Sequence, residues 1–175
     1  LYPAVFRKKG VRQYKNFQTY GYFNLPWLFT LLSAVFNPKS LSFFYWVKIG
    51  WYSITAVSVY MLSWLLWHSL FASFLAGLFF ALAVGMPRNG FVLTYAEHFY
   101  ILPINAAAIF CILGFRENAV LFYAAAGLCA GWAVQLKPVA MVSGGLMFLV
   151  VTVLSKSPVA AVLYAVSFAA VNAFP

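Results

Sequence analysis

The sequence predicts an all-α fold: a polytopic transmembrane helix bundle of about six spans plus one interfacial helix. Three observations predict it. Of 175 residues, 65% are hydrophobic and only 7% charged, whereas a soluble domain carries about 25% charged residues. Aromatic residues make up 21%, with 19 Phe, 11 Tyr and 6 Trp, and amphipathic rings favour the headgroup level of a bilayer. The apolar residues form continuous runs without the two-residue alternation of barrel strands. Every backbone amide inside lipid must be paired, so the choice lies between helix and closed barrel, and the pattern selects helix.

The first 21 residues, LYPAVFRKKGVRQYKNFQTYG, cannot span a membrane because Arg7, Lys8, Lys9, Arg12 and Lys15 interrupt them. They belong at an interface or in a loop. Residues 22–36, YFNLPWLFTLLSAVF, are apolar but too short to cross, and end at the turn Asn37-Pro38-Lys39. This is the interfacial helix. Residues 1–48 therefore read as a loop segment and residues 49–175 as the bundle, incomplete at both ends. The chain opens at Leu1 and stops at Pro175 directly after an apolar run, which reads as an internal fragment without a signal peptide.

Spans are expected at 49–67, 70–86, 99–115, 119–136, 139–154 and 159–174. Each is close to the ~20 residues that cross a ~30 Å hydrocarbon core, the shorter ones with bilayer thinning or interfacial anchoring. Short connections imply that consecutive helices pack antiparallel. Ala124, Ala125, Ala126, Gly127, Ala130 and Gly131 form a small-residue face on the fourth span, and Gly144-Gly145 form another on the fifth. Such faces let helix backbones approach closely. Cys111 and Cys129 lie inside apolar runs and read as packing residues.

The net charge of +9 sets eleven Lys and Arg against only Glu97 and Glu117. The basic residues stand beside hydrophobic spans, so lipid headgroups or phosphate-bearing ligands are the expected partners, and nucleic acid is not. If all spans cross, parity puts residues 1–48, the loop 87–98 and Lys137-Pro138 on one side. His68, Arg116-Glu117-Asn118 and Ser155-Lys156-Ser157 fall on the other. The positive-inside rule alone would place the first side in the cytoplasm.

The loop PRNGFVLTYAEH carries Arg88, Glu97 and His98, the densest chemistry in the chain. Glu97, at the mouth of the third span, is either a helix-capping acid favoured by the helix dipole or a carboxylate facing a substrate cavity. Lys137, before Pro138, either snorkels from a helix end or binds a phosphate. His68 and His98 stand at no metal spacing and read as interfacial polar residues. No phosphate loop and no serine or cysteine nucleophile pattern occurs.

The runs LTYAEHFYILPINAAAIFCILGF and LFYAAAGLCAGWAVQLKPVAMV resemble the GT-C class of membrane glycosyltransferases, in particular the dolichyl-phosphate-mannose mannosyltransferase-like and rhizobial lipopolysaccharide core transferase-like group. There an acid closes a loop, an apolar span follows, and a Gly-rich span ends in Lys beside a small residue or Pro. Glu97 and Lys137 fall on those positions. Upstream, VRQYKNFQTYGYFNLPWLF is similar to a loop segment of that group, with Lys15-Asn16-Phe17 where Arg-Asp-Phe is common and Asn24-Leu25-Pro26 in place of a Pro pair.

The resemblance implies transfer of a sugar, with inversion, from a polyprenyl-phosphate-linked donor to a lipid, glycan or protein acceptor. It implies a catalytic role for Glu97, orienting the acceptor or a basic partner. Lys137, Arg88, His98, Asn16 and Lys15 would belong to the substrate site, with Lys137 on the donor phosphate. It also implies a bacterial inner membrane location with the site on the extracytoplasmic face, against the charge bias. The family's principal catalytic Asp lies upstream of the matching segment, before Leu1, so the fragment is expected to be inactive alone. The fragment itself names no cofactor; a divalent metal in the full-length protein stays open. A transporter or lipid flippase is the alternative reading, and a structural membrane subunit the third.

Overall fold

The computed structural model describes residues 35–36, 42–85 and 97–173. Among them the chain is helical, with no strand. Six helices follow in order: α1 (Ser42–Trp67), α2 (Leu70–Gly85), α3 (Glu97–Glu117), α4 (Val120–Leu136), α5 (Ala140–Leu154) and α6 (Pro158–Asn172). Of the expected interfacial helix only Val35 and Phe36 are described, and both are helical.

Two helices are long and apolar enough to cross a bilayer: α1 over Tyr45–Trp67, 23 residues, and α3 over Phe99–Glu117, 19 residues. The other four are equally apolar but run 16, 17, 15 and 15 residues, short of the ~20 that span without adjustment. At one end of the bundle the hairpin turns carry His68, Asn118 and Lys156, which adopt left-handed backbone with φ of 52°, 51° and 51°, the conformation that stops a helix, here just after α1, α3 and α5. Ser157 then caps α6, accepting from the Ala160 N–H at 3.3 Å with Pro158 in the first turn.

The helices pack inside out relative to a soluble protein. The buried cluster is built from small residues and a few rings: Ala107, Cys111, Tyr123, Ala126, Ala130, Val151, Ala160 and Tyr164. Large apolar side chains such as Phe71, Phe74, Phe79, Leu121, Val142, Leu146, Val153 and Val162 are exposed. Contiguous apolar surface of this kind is rare on soluble monomers, and the close packing of small faces is a contact that membrane helices also use.

The small-residue face of α4 shows how. A Cβ added to Gly127 would collide with the Tyr164 carbonyl, and one on Gly131 would lie 2.8 Å from the Phe168 carbonyl. Gln135 continues the same line, donating to Asn172 Oδ1 at 3.1 Å across a separation of 37 residues. Thus α4 and α6 run parallel in one register, and α4, rather than the sequence neighbour α5, carries α6. Antiparallel packing of consecutive helices holds for α1 on α2, where Gly77 approaches the Ala56 carbonyl, and for α3 on α4, where Gly114 receives the Tyr123 ring. Gly145, by contrast, faces open space. A 240 Å³ apolar cleft lined by Gly144, Gly145, Phe148 and Tyr164 separates α5 from α6.

Candidate functional site

The hairpin turns at His68, Asn118 and Lys156 lie at one end of the bundle, and ring contacts fix what lies at the other. Trp51, near the start of α1, packs on Phe99 at the start of α3 with centroids 5.4 Å apart. It also meets Trp132, near the end of α4, edge-on at 5.9 Å. The N-terminus of α3 and the C-terminus of α4 therefore share an end with the start of α1. Glu97 and His98 are the first two residues of α3, and Lys137 caps the last turn of α4. The α3 N-terminus presents backbone N–H groups and the positive pole of the helix dipole at this end.

Lys137 owes its place to its successor. Residues before proline are pushed out of helical backbone, and Lys137 is extended, with φ −152° and ψ 118°. Its N–H still closes onto the Ala133 carbonyl at 2.9 Å, while its own carbonyl accepts from Ala140 at 3.0 Å and starts α5. The side chain is half-buried. Arg88, Asn16 and Lys15 lie outside the described residues, as does the loop that precedes Glu97.

A cation the sequence reading had left in the loop joins this end. Since α1 begins at Ser42, well before position 49, Lys48 is a helix residue, only 2% exposed. Its Nζ lies 5.7 Å from the Tyr52 ring centroid, and Tyr52, 7% exposed, sits 6.4 Å from Phe99. A lysine inside an aromatic stretch that continues into an apolar span was the available signal: Tyr52, one turn on, is placed to cover it.

Below Lys48 a polar seam continues along the α1 to α3 contact. Thr55 and Ser58 are buried, and their hydroxyls donate to the Trp51 and Thr55 carbonyls of their own helix at 2.8 and 2.7 Å. Asn105 donates to Ser58 Oγ at 3.0 Å. Pro103, fully buried, interrupts the α3 ladder without breaking the helix. At the far end Arg116 donates to the Leu65 carbonyl and to His68 Nε2, the latter at 2.9 Å.

Among the described residues no three His, Cys, Asp or Glu side chains come together as metal ligands. Cys111 and Cys129 are free thiols, buried and half-buried in the packing. The chain matches no family model, no curated protein and no solved structure.

Proposed function

We propose that the chain belongs to a polytopic integral membrane glycosyltransferase in which all six helices lie in the bilayer and the Lys137 end receives a polyprenyl-phosphate-linked sugar. The observation that carries this reading is the convergence, at one end, of Lys137, the buried Lys48 and the α3 N-terminus that begins with Glu97. The exposed apolar surface supports the membrane setting. So do Trp46 and Trp67, 70% and 68% exposed at opposite ends of α1. Between positions 46 and 67 the helix rises about 31 Å, the thickness of a hydrocarbon core, with an interfacial ring at each boundary.

The chemistry asks for an acceptor hydroxyl to attack the anomeric carbon while the bond from that carbon to the phosphate oxygen breaks. The departing polyprenyl phosphate gains negative charge, which fixed cations and helix N-termini stabilise. Lys137 would hold that phosphate, and Glu97 would orient the acceptor or a basic partner. The end is extracytoplasmic in this reading, in a bacterial inner membrane, so its basic residues serve the donor rather than report orientation.

The transporter alternative asks for helices broken at mid-membrane. Here α3 is continuous through Pro103, and the Lys137-Pro138 break lies at a helix end. The seam hydroxyls of Thr55 and Ser58 bond to their own helix, which favours a static contact over a pathway. In the full-length protein, Glu97→Gln and Lys137→Ala should each lower sugar transfer by about 10²-fold or more without loss of membrane insertion. Wild-type turnover in both variants would remove these residues from the site.

A further inference from the structure

The α1–α2 turn and the end of α3 meet at a polar contact whose chemistry fixes the place of a proton. Arg116 Nη2 lies 2.9 Å from His68 Nε2 and also donates to the Leu65 carbonyl. A guanidinium has donors only and does not lose its charge in proteins. Nε2 is therefore the acceptor. An imidazole that accepts through Nε2 is neutral and carries its proton on Nδ1, since the charged ring donates from both nitrogens. The bond thus selects one of the three forms open to the ring.

Backbone and a neighbouring ring hold His68 in place. Its N–H closes the last turn of α1 onto the Trp64 carbonyl at 2.9 Å, and its φ of 52° is a left-handed conformation uncommon outside glycine. Trp64 stands edge-on to the imidazole with centroids 5.8 Å apart. Both His68 and Arg116 are exposed, so the ring exchanges protons with the aqueous phase at this end. The helix α1 packs against α2 and α3. No titratable side chain lies on α2. At this end α3 brings Arg116 and Glu117, and among the described residues no ion pair joins Glu117 to His68. Tyr60 is the titratable residue in the last two turns of α1 itself, and Lys156 sits in the α5–α6 turn at the same end.

We infer that His68 and Arg116 form a proton-sensitive clasp between the end of α1 and the end of α3. With the ring neutral the clasp is closed. A proton on Nε2 turns the acceptor into a donor and sets two cations within bonding distance, where they repel, so Arg116 leaves His68 and the Leu65 carbonyl beside it. An imidazole changes charge between about pH 5 and 8, so ordinary acidification drives the opening. The bond from Asn105 to Ser58, nearer the middle of the two helices, involves no titratable group, which confines the opening to the turn end. The clasp stands on its own two bonds, apart from the sugar-transfer reading; under that reading it faces the cytoplasmic side and responds to pH there, not at the Lys137 end.

The test uses the full-length protein in nanodiscs with nitrogen-labelled histidine, the His68 signals being assigned by their loss in His68→Gln. At about pH 8, the upper end of the imidazole range, long-range proton–nitrogen spectra should show Nδ1 protonated and Nε2 bare. A proton on Nε2 at that pH overturns the clasp. Spin labels on Leu66→Cys and Leu121→Cys, both at exposed positions, then report the separation of the α1 end from the α3–α4 hairpin, in a background with cysteines, Cys111 and Cys129 included, replaced by alanine. The parent's distance distribution should be narrow at about pH 8 and longer and broader at about pH 5. His68→Gln, whose amide oxygen accepts at either pH, should stay closed at both, and Arg116→Met should be open at both. Distances that pH leaves unchanged in the parent, or a pH response that survives in His68→Gln, overturn the clasp. Should a variant fail to fold, the parent's tautomer and its own pH response decide.

Discussion

The Tyr164 hydroxyl donates to the main-chain carbonyl of Gly144 at 2.8 Å, from a side chain that is 1% exposed. The same residue offers its own carbonyl to the close approach of Gly127. One tyrosine therefore ties α5 and α4 to α6. Tyr164→Phe keeps the ring stacked on Phe168 and deletes only the hydroxyl. Its expected cost is about 0.5–1.5 kcal/mol, the range for hydrogen bonds between membrane helices, read as a lower unfolding midpoint in detergent. No change would mean that the Gly144 bond contributes nothing.

The parallel packing of α4 on α6 depends on absent side chains. Gly127→Ala places a methyl on the Tyr164 carbonyl, whereas Gly145→Ala meets nothing within 4 Å. The first should destabilise by about 1–3 kcal/mol and the second by less than about 0.5 kcal/mol. A disulfide formed between Gln135→Cys and Asn172→Cys, whose side chains now hydrogen-bond, should form readily in the parent and poorly beside Gly127→Ala.

Arg116 links two hairpins, reaching from the end of α3 to the Leu65 carbonyl and His68 at the end of α1. It satisfies one of the carbonyls that a helix C-terminus leaves open. Arg116→Met should cost about 1 kcal/mol, since the group is exposed. Both bonds leave one guanidinium nitrogen, Nη2, so Arg116→Lys, whose ammonium also carries several donors, should recover about half of that or more if its shorter stem reaches both acceptors. No recovery by lysine would mean that the reach and shape of the guanidinium, rather than its donors, make the contact.

The three turns differ in how well their residues suit left-handed backbone. Asn tolerates it, Lys does not, and Gly adopts it freely. Lys156→Gly, at φ 51°, should therefore raise stability by up to about 1 kcal/mol, and Asn118→Gly should change it much less. Thermal midpoints of the two variants measure the difference.

The helix positions were legible because apolar runs and their breaks are strong local signals. The small face at Gly127 and Gly131 was legible too, since glycine spacing on a helix shows which stripe can approach a neighbour. The identity of that neighbour was not: whether α4 receives α5 or α6 depends on matching two surfaces far apart in sequence, and the short Lys137-Pro138 connection pointed to α5. Lys48 escaped because a charge next to an apolar run reads as the boundary of a span, while its burial needs Tyr52 and Phe99, one of them on another helix. The expected runs 70–86, 119–136, 139–154 and 159–174 meet α2, α4, α5 and α6 to within two residues at each end, while α1 and α3 extend beyond the expected 49–67 and 99–115 because their aromatic and polar first turns continue the helix. Arg88, Asn16 and Lys15 fall outside the described residues.

The shared end of Glu97 and Lys137 is tested most directly by cysteine accessibility in sealed membranes. In a Cys111→Ala, Cys129→Ala background, Glu97→Cys, Lys137→Cys, Asn118→Cys and Lys156→Cys would each be probed with a membrane-impermeant maleimide from either side. Glu97→Cys and Lys137→Cys should label from one side, and Asn118→Cys and Lys156→Cys from the other. Labelling of Glu97→Cys and Lys137→Cys from opposite sides would contradict a common site at that end.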